Sequence, residues 1–411
     1  MDKYLNRTLE SALAQRGKDF PAILVTGPRQ SGKTTLLQHT FGQSHRFVAL
    51  DEPDIRALAL ADPRLFVSQN PPPVIFDEIQ YAPELFHYIK RDIDEHRREK
   101  ARYVLSGSQN LPLMQNVTET LAGRIAVLTL LSMSQAERSH QPQRTPLWEK
   151  TFEAAPPAQR DDRVATGEQI MAEVMRGGFP ELIIEPDREA RAWFAAYVQT
   201  YLERDIRSIR NIGNLADFQR FLLALAAQTA QLLNISALSR DLGIAVNTVK
   251  AWLSLLEASF QIVLLKPYYV NLGKRLVKAP KLYFLDAALP AYLTGLVDPK
   301  HALRGPMGGP LFENAVFAEL FRAFVHRGES SRIFFWRTAA GHEVDFILDF
   351  GTHLIPIETK LTATPTPAMA ANLTAFSALF PKQVSQSFLI CLAQRSIKLT
   401  GEITVVPFGL Q

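Results

Sequence analysis

The 411-residue sequence holds a single cysteine, Cys391, which excludes an internal disulfide framework and fits a reducing compartment. No apolar run approaches the roughly 18 residues of a membrane span. The first residues, Met1-Asp2-Lys3-Tyr4-Leu5-Asn6-Arg7, lack the apolar core of a signal peptide. No membrane partner is expected, and the expected location is the cytoplasm. The nine histidines form no spaced cluster with cysteine, so a zinc site is not expected, and no internal repeat is found. Charge is nearly balanced, with a formal net of +4, which permits nucleic-acid binding without requiring it. A hydrophobic fraction of 47% is that of a soluble globular protein, and the length predicts two or three domains.

The densest signal is Gly27-Pro28-Arg29-Gln30-Ser31-Gly32-Lys33-Thr34, placed between a short apolar run (Ala22 to Val25) and a helix-like segment that includes Thr35. This reads as a phosphate-binding loop. Glycines let backbone N–H groups turn inward around phosphate oxygens, and the following helix N-terminus adds partial positive charge. Lys33 would reach the β- and γ-phosphates of ATP, and the Thr34 hydroxyl would ligate Mg²⁺. A second buried strand, Pro73-Val74-Ile75-Phe76, ends in Asp77 and Glu78. Asp77 would hold the Mg²⁺ water shell, and Glu78 is placed to polarise an attacking water. A third strand, Arg102 to Leu105, runs into Ser106-Gly107-Ser108-Gln109-Asn110, where Ser108 or Gln109 is either a γ-phosphate sensor or an ordinary turn residue. Arg124, before the apolar run Ile125 to Leu131, is the best arginine to reach a nucleotide, in its own subunit or a neighbour's. A homo-oligomer is therefore a candidate assembly.

Composition divides the chain into an N-terminal α/β part (1–138), a polar, proline-rich linker or insertion (139–169), a helical connecting segment (170–213), a middle domain (214–300) and an end domain (301–411). The connecting segment includes a helix over about Arg188 to Ser208, with Arg204 as a further nucleotide-sensing candidate. From Asn234 to Leu285 the pattern resembles a winged helix. Helices Ile235 to Ile244 and Asn247 to Leu256 precede strands Gln261 to Leu265 and Lys281 to Leu285, with a basic wing between them. Lys250, Lys274, Arg275 and Lys278 are the candidates to contact double-stranded DNA, with protein interaction the alternative.

Near the C-terminus, Leu311 to Phe321 predicts an amphipathic helix with Glu313 on its apolar face and Glu319 pointing away. A buried acid requires a partner. The strands Glu343 to Leu348 and Leu354 to Lys360 place Glu358 and Lys360 on one side, with Asp345 able to face them. Asp345 and Glu358 would bind Mg²⁺ while Lys360 orients the water that attacks a phosphodiester. The Asp…Glu-x-Lys pattern is similar to the PD-(D/E)XK nuclease superfamily, with Glu313 matching its helical acid and Val344 departing from the proline of the name pattern. A structural salt bridge among Glu358, Lys360 and Asp345 is the competing reading.

The chain as a whole resembles prokaryotic ATP-binding proteins with an N-terminal AAA domain and a C-terminal DUF4143 domain. The matching segments include Gly27 to Leu36, Phe76-Asp77-Glu78, Leu121-Ala122-Gly123-Arg124, Gly177-Gly178-Phe179-Pro180-Glu181, Tyr201 to Asp205, Gly273 to Leu276, Phe312-Glu313-Asn314 and Gly341 to Asp345. The resemblance implies an α/β chain with a P-loop AAA-type parallel sheet, a winged-helix middle domain and a nuclease-like α/β end domain. Residues 214–411 and the helix before them would fall within DUF4143. Two functions follow as expectations: an ATPase whose nucleotide state controls a DNA-binding, DNA-cleaving C-terminal half, or a nucleotide-dependent switch whose end domain is not catalytic and binds a protein or nucleic acid.

Overall fold

The computed structural model describes residues 4–108, 119–149, 165–202, 215–269, 279–338 and 340–409. Gln109, Arg204, Lys274, Arg275 and Lys278 lie outside them, as does the stretch 150–164 of the expected linker.

Strands β1 (Ala22–Thr26), β2 (Arg46–Ala49), β3 (Val74–Asp77), β4 (Tyr103–Gly107) and β5 (Ile125–Thr129) form an all-parallel sheet in the order β2-β3-β4-β1-β5. Such a sheet is buried on both faces, which is why its central strands read as unbroken apolar runs. Ile23, Val25, Ile75 and Val104 pack on Leu9, Leu13, Leu36 and Leu37 on one face. Leu24, Phe76 and Leu105 pack on Leu85, Phe86, Ile89 and Ile93 on the other. The order sets β4 between β1 and β3, so three strand ends converge where the strands' carboxyl termini open, the usual ligand position in an open parallel sheet.

Within the described residues the expected helix from Arg188 is regular over Ala190–Tyr197 and continues as a π-helical turn, Val198–Leu202. Helices Leu215–Ala226, Ile235–Leu242 and Val246–Ala258 follow, and then an antiparallel ribbon, β6 (Ile262–Leu265) and β7 (Lys281–Phe284). Phe218, Phe221 and Trp252 build an aromatic core among the three helices. The ribbon is not free. Tyr268 N donates to Phe335 O at 2.6 Å and Phe335 N to Lys266 O at 3.2 Å, so the base of the expected wing is stitched to the end domain.

The end domain is a six-stranded mixed sheet of β8 (Ile333–Arg337), β9 (Glu343–Asp349), β10 (Leu354–Lys360), β11 (Ser387–Cys391), β12 (Ile397–Thr400) and β13 (Ile403–Pro407), ordered β12-β13-β11-β10-β9-β8. Helix Gly308–Val325 covers one face through Phe312, Val316, Phe317, Leu320 and Phe324. Helix Ala371–Leu379 covers the other through Leu373 and Phe376. Glu319 points away from the sheet, as expected, and is buried there because the far side of its helix meets the N-terminal domain: Gln135 N donates to Glu319 Oε2 at 2.9 Å. The start of the supposed linker is also packed, since Leu147 is fully buried and Trp148 stacks on Phe324 with ring centroids 4.2 Å apart.

Candidate functional site

β1 delivers the chain into the turn Gly27 to Gly32, which opens helix Lys33–Phe41. Gly27 has φ 146°, and a Cβ there would lie 2.0 Å from the Leu130 carbonyl oxygen, so glycine alone fits between the two strands. Pro28 and Ser31 are buried in the turn, Arg29 is half-buried, Gln30 is exposed with φ 60°, and Thr35 faces outward one turn into the helix. Lys33 is buried, and its ammonium group bends back to donate to Gly27 O at 3.2 Å and Pro28 O at 2.9 Å.

The carboxylates arrive from β3. Thr34 Oγ1 donates to Asp77 Oδ2 at 2.8 Å, and Ser106 Oγ, from β4, donates to Asp77 Oδ1. Burial raises the Asp77 pKa despite these two hydrogen bonds. A divalent cation alongside would restore the charged form. A hydroxyl and a carboxylate side by side are the hard oxygen donors that Mg²⁺ takes, so the donors present suit that ion, with Thr34 as a ligand and Asp77 reaching it through water. Glu78 follows with φ 54°, an uncommon conformation for a non-glycine residue that turns its side chain off the strand. Ser108 Oγ donates to Glu78 Oε2 at 3.1 Å, Gln80 Nε2 donates to the same oxygen, and Glu78 N donates to Ser106 Oγ at 3.0 Å.

Ser108 thus stands beside Glu78, whereas Ser106 and Gln80, which hold the two acids, had no assigned role in the sequence. Ser106 carried a usable signal as the last small polar residue of a buried strand. Arg7 was missed as well: it lies far upstream of the loop, yet its Nη1 donates to Ser31 O at 2.9 Å.

Arg124 is not at this site in its own chain. Its guanidinium pairs with Asp94 at 2.7 and 3.1 Å, and its carbonyl accepts from Ala22 N at 3.3 Å. That position is the amino-end edge of the sheet, one strand length from the loop, or about 16 Å at about 3.3 Å per residue.

The C-terminal residues gather without forming the expected metal pocket. Glu313, Glu343 and Asp345 surround Lys281 of β7, whose Nζ is 2.9 Å from Glu313 Oε1 and 3.8 Å from Asp345 Oδ1 and pairs directly with Glu343 Oε1. Tyr283 OH donates to Glu313 Oε1 at 2.6 Å. Asp345 Oδ2 is held by Thr359 N and Thr359 Oγ1, both at 2.8 Å. Glu358, 3% exposed, instead takes Lys360 as its partner at 2.6 Å, and its second carboxylate oxygen is buried without a hydrogen bond. Among the described residues, no group of three or more His, Cys, Asp or Glu is arranged to hold a metal ion. The acids are instead taken up by protein partners: Lys281 pairs with Glu313 and Glu343 and lies near Asp345, Thr359 holds the other Asp345 oxygen, and Lys360 pairs with Glu358. Burial, and next the nearby Asp345 charge, push Glu313 up to about 7 and Glu358 up to about 8. Burial acts to lower Lys281, but the surrounding carboxylates outweigh it and leave its pKa raised.

On the helix Val246–Ala258 the exposed residues are Val246, Asn247, Lys250, Ser254 and Glu257, so Lys250 is the one cation of that surface. Among the described residues no helix is long and apolar enough to cross a membrane.

Residues 19–139 match a family model described as an AAA domain, and residues 308–410 match the domain of unknown function DUF4143. Residues 167–300 are covered by a separate model, the domain of unknown function DUF8612. Uncharacterized proteins of Mycobacterium bovis and Mycobacterium tuberculosis are each 27% identical over 389 residues, spanning 94% of this chain and 80% of theirs. Among solved structures, a Walker-type ATPase of Pyrococcus abyssi aligns at a TM-score of 0.47 and 15% identity, over 71% of this chain and 96% of that one. By the family models, the chain has an N-terminal segment similar to AAA domains, with a P-loop-like parallel sheet, followed by segments similar to two families of unknown function.

Proposed function

We propose that this protein binds ATP with Mg²⁺ at the Gly27–Thr34 loop and hydrolyses it, and that nucleotide state sets the behaviour of its C-terminal half. The observation that carries this reading is the 2.8 Å contact between Thr34 and Asp77, which joins the helix after the loop to the carboxylate of a second strand. Backbone N–H groups of the loop would cradle the phosphates, with Lys33 swinging from the loop carbonyls to the β- and γ-phosphates. Mg²⁺, held by Thr34 and through water by Asp77, would neutralise charge on the β- and γ-oxygens. Glu78, held by Ser108 and Gln80, orients a water for in-line attack on the γ-phosphorus. The new bond is from water oxygen to phosphorus, the bond to the β–γ bridging oxygen breaks, and the water proton passes to Glu78. ATP binding and phosphate release measured on the wild type and Glu78→Gln test this: the variant is expected to bind and not turn over, and equal turnover removes Glu78 from the mechanism.

For the C-terminal half, the placement of Lys281 among Glu313, Glu343 and Asp345 favours the switch over the nuclease. In this reading the acids are an ion-paired core of a binding module, and double-stranded DNA is one candidate partner, through Lys250 and the wing. Labelled duplex incubated with protein, with and without ATP and Mg²⁺ or Mn²⁺, separates the readings. Retention without cleavage supports a DNA-binding switch, no retention leaves a protein partner, and cleavage lost in Asp345→Ala restores the nuclease.

A further inference from the structure

The geometry points to Arg7 as a positioning residue that orients the phosphate loop and ties it to helix Gly308–Val325 of the end domain. The inference rests on the ATP reading and adds the route by which the C-terminal half senses the nucleotide.

Arg7 is 3% exposed, and its guanidinium is spread over three partners. Nη1 donates to Ser31 O at 2.9 Å, Nη2 donates to Leu131 O at 2.8 Å, and Nε lies 3.2 Å from Glu137 Oε1. The first of these acts on the nucleotide site. The Ser31 carbonyl and the Gly32 N–H belong to one planar peptide unit, so fixing the carbonyl on one side fixes the direction of an N–H that the phosphates require on the other. A lysine could supply the charge but not the three-way fork.

The other two partners close a ring through the end domain. Leu131 N donates to His326 Nε2 at 3.1 Å, and His326 Nδ1 lies 3.3 Å from Glu137 Oε1, the oxygen that faces Arg7. His326 caps helix Gly308–Val325 at its C-terminus and is itself 1% exposed. Because Nε2 accepts, the ring proton sits on Nδ1, facing the carboxylate. Glu137 also accepts from Thr8 N at 2.8 Å and Ser134 N at 2.8 Å. Burial works against its charge, yet Arg7 and His326 outweigh it and hold the carboxyl well below the usual range. The loop backs onto the same segment at its other end, where Gly27 lies against the Leu130 carbonyl. A shift of the Ser31 peptide on phosphate binding therefore has a short, buried, hydrogen-bonded path to His326, with no solvent to absorb it.

The test is hydrogen–deuterium exchange of the full chain with and without MgADP or a slowly hydrolysed ATP analogue, in the wild type, His326→Gln and Arg7→Lys. In the wild type, nucleotide is expected to change exchange both in the loop peptides (27–37) and in those covering 308–326. His326→Gln should keep ATP affinity within about threefold and the loop response, and lose the response of 308–326. Arg7→Lys should lose the distant response and bind ATP about tenfold more weakly, the scale of one charged hydrogen bond. A wild type whose loop responds while 308–326 does not, or a His326→Gln protein with the full distant response, overturns the coupling and leaves the ATP reading intact. No nucleotide response at the loop overturns both. If Arg7→Lys does not fold, the wild type and His326→Gln decide the matter.

Discussion

The phosphate loop and the C-terminal acidic cluster both set carboxylates beside a lysine, and they differ in what that lysine does. Lys33 is held by two backbone carbonyls of its own loop, neutral acceptors that a phosphate can displace. Lys281 is held by carboxylates from β9 and from the helix above it, charges that only another cation could replace. Thr34 and Asp77 are partnered to each other in a way that suits an incoming Mg²⁺, whereas Asp345 has spent one oxygen on Thr359 and lies near Lys281 with the other. A site prepared for a ligand keeps its partners exchangeable. A site that serves the fold satisfies its charges internally, since an uncompensated buried charge is costly.

The largest expected effect that would break this contrast is at Lys33. Lys33→Ala is expected to abolish ATP binding in a fluorescent-nucleotide titration while leaving the melting temperature of the nucleotide-free protein nearly unchanged. A large loss of stability instead would make Lys33 structural in the manner of Lys281.

Lys281→Ala is expected to do the reverse. Removing one partner of a buried ion-paired group costs about 3–5 kcal/mol, read as a lower urea midpoint for the end domain, with ATP affinity unchanged because Lys281 lies on the ribbon and not at the loop. A variant as stable as the wild type would mean that the acids have another cation available and that the two sites are more alike than the structure indicates.

A smaller effect is expected with pH. Glu313 and Glu358 are raised to about 7 and about 8 from an ordinary value of 4.5. Between pH 4.5 and 8 the folded chain then holds protons that the unfolded chain releases, so stability falls as pH rises through that window. Glu137 has the opposite sign, its contribution being present above its unfolded pKa and lost at lower pH, so it acts below pH 4.5. Thermal unfolding from pH 5 to 8 should show the decline, and Glu358→Gln should flatten it. A flat profile over the same range would show that the acids are ionised throughout.

The smallest effect is expected at Arg124, whose partly exposed pair with Asp94 is remote from the loop. Arg124→Ala should leave ATP turnover and melting temperature unchanged if each chain works alone. Recovery of activity on mixing Arg124→Ala with Lys33→Ala protein would instead show a site shared between copies.

Legibility followed the distance over which each feature is encoded. Lys33, Thr34 and the glycines lie within one turn and one helix start, where spacing dictates backbone geometry, and Asp77-Glu78 ends a strand whose apolar run marks it as buried. Ser106 was legible as a small polar residue at a strand end but not as the partner of Asp77, because that contact depends on β4 lying beside β3, and strand order has no local signature. Glu313 was legible as an acid in need of a partner. Lys281 was not legible as that partner, being 32 positions away and at the start of a strand that flanks the basic wing.

The local pattern of residues determined by itself that this chain has a parallel α/β domain with a phosphate loop, since glycine spacing and apolar periodicity act over a few residues and need no tertiary information. Only the tertiary structure decided which charges meet. It sent Arg124 to the far edge of the sheet, buried Glu319 against the N-terminal domain, set Lys281 among Glu313, Glu343 and Asp345 and brought Arg7 to the loop. The physical reason is that burial makes a charge find its partner wherever packing places one, and packing is a property of the whole chain.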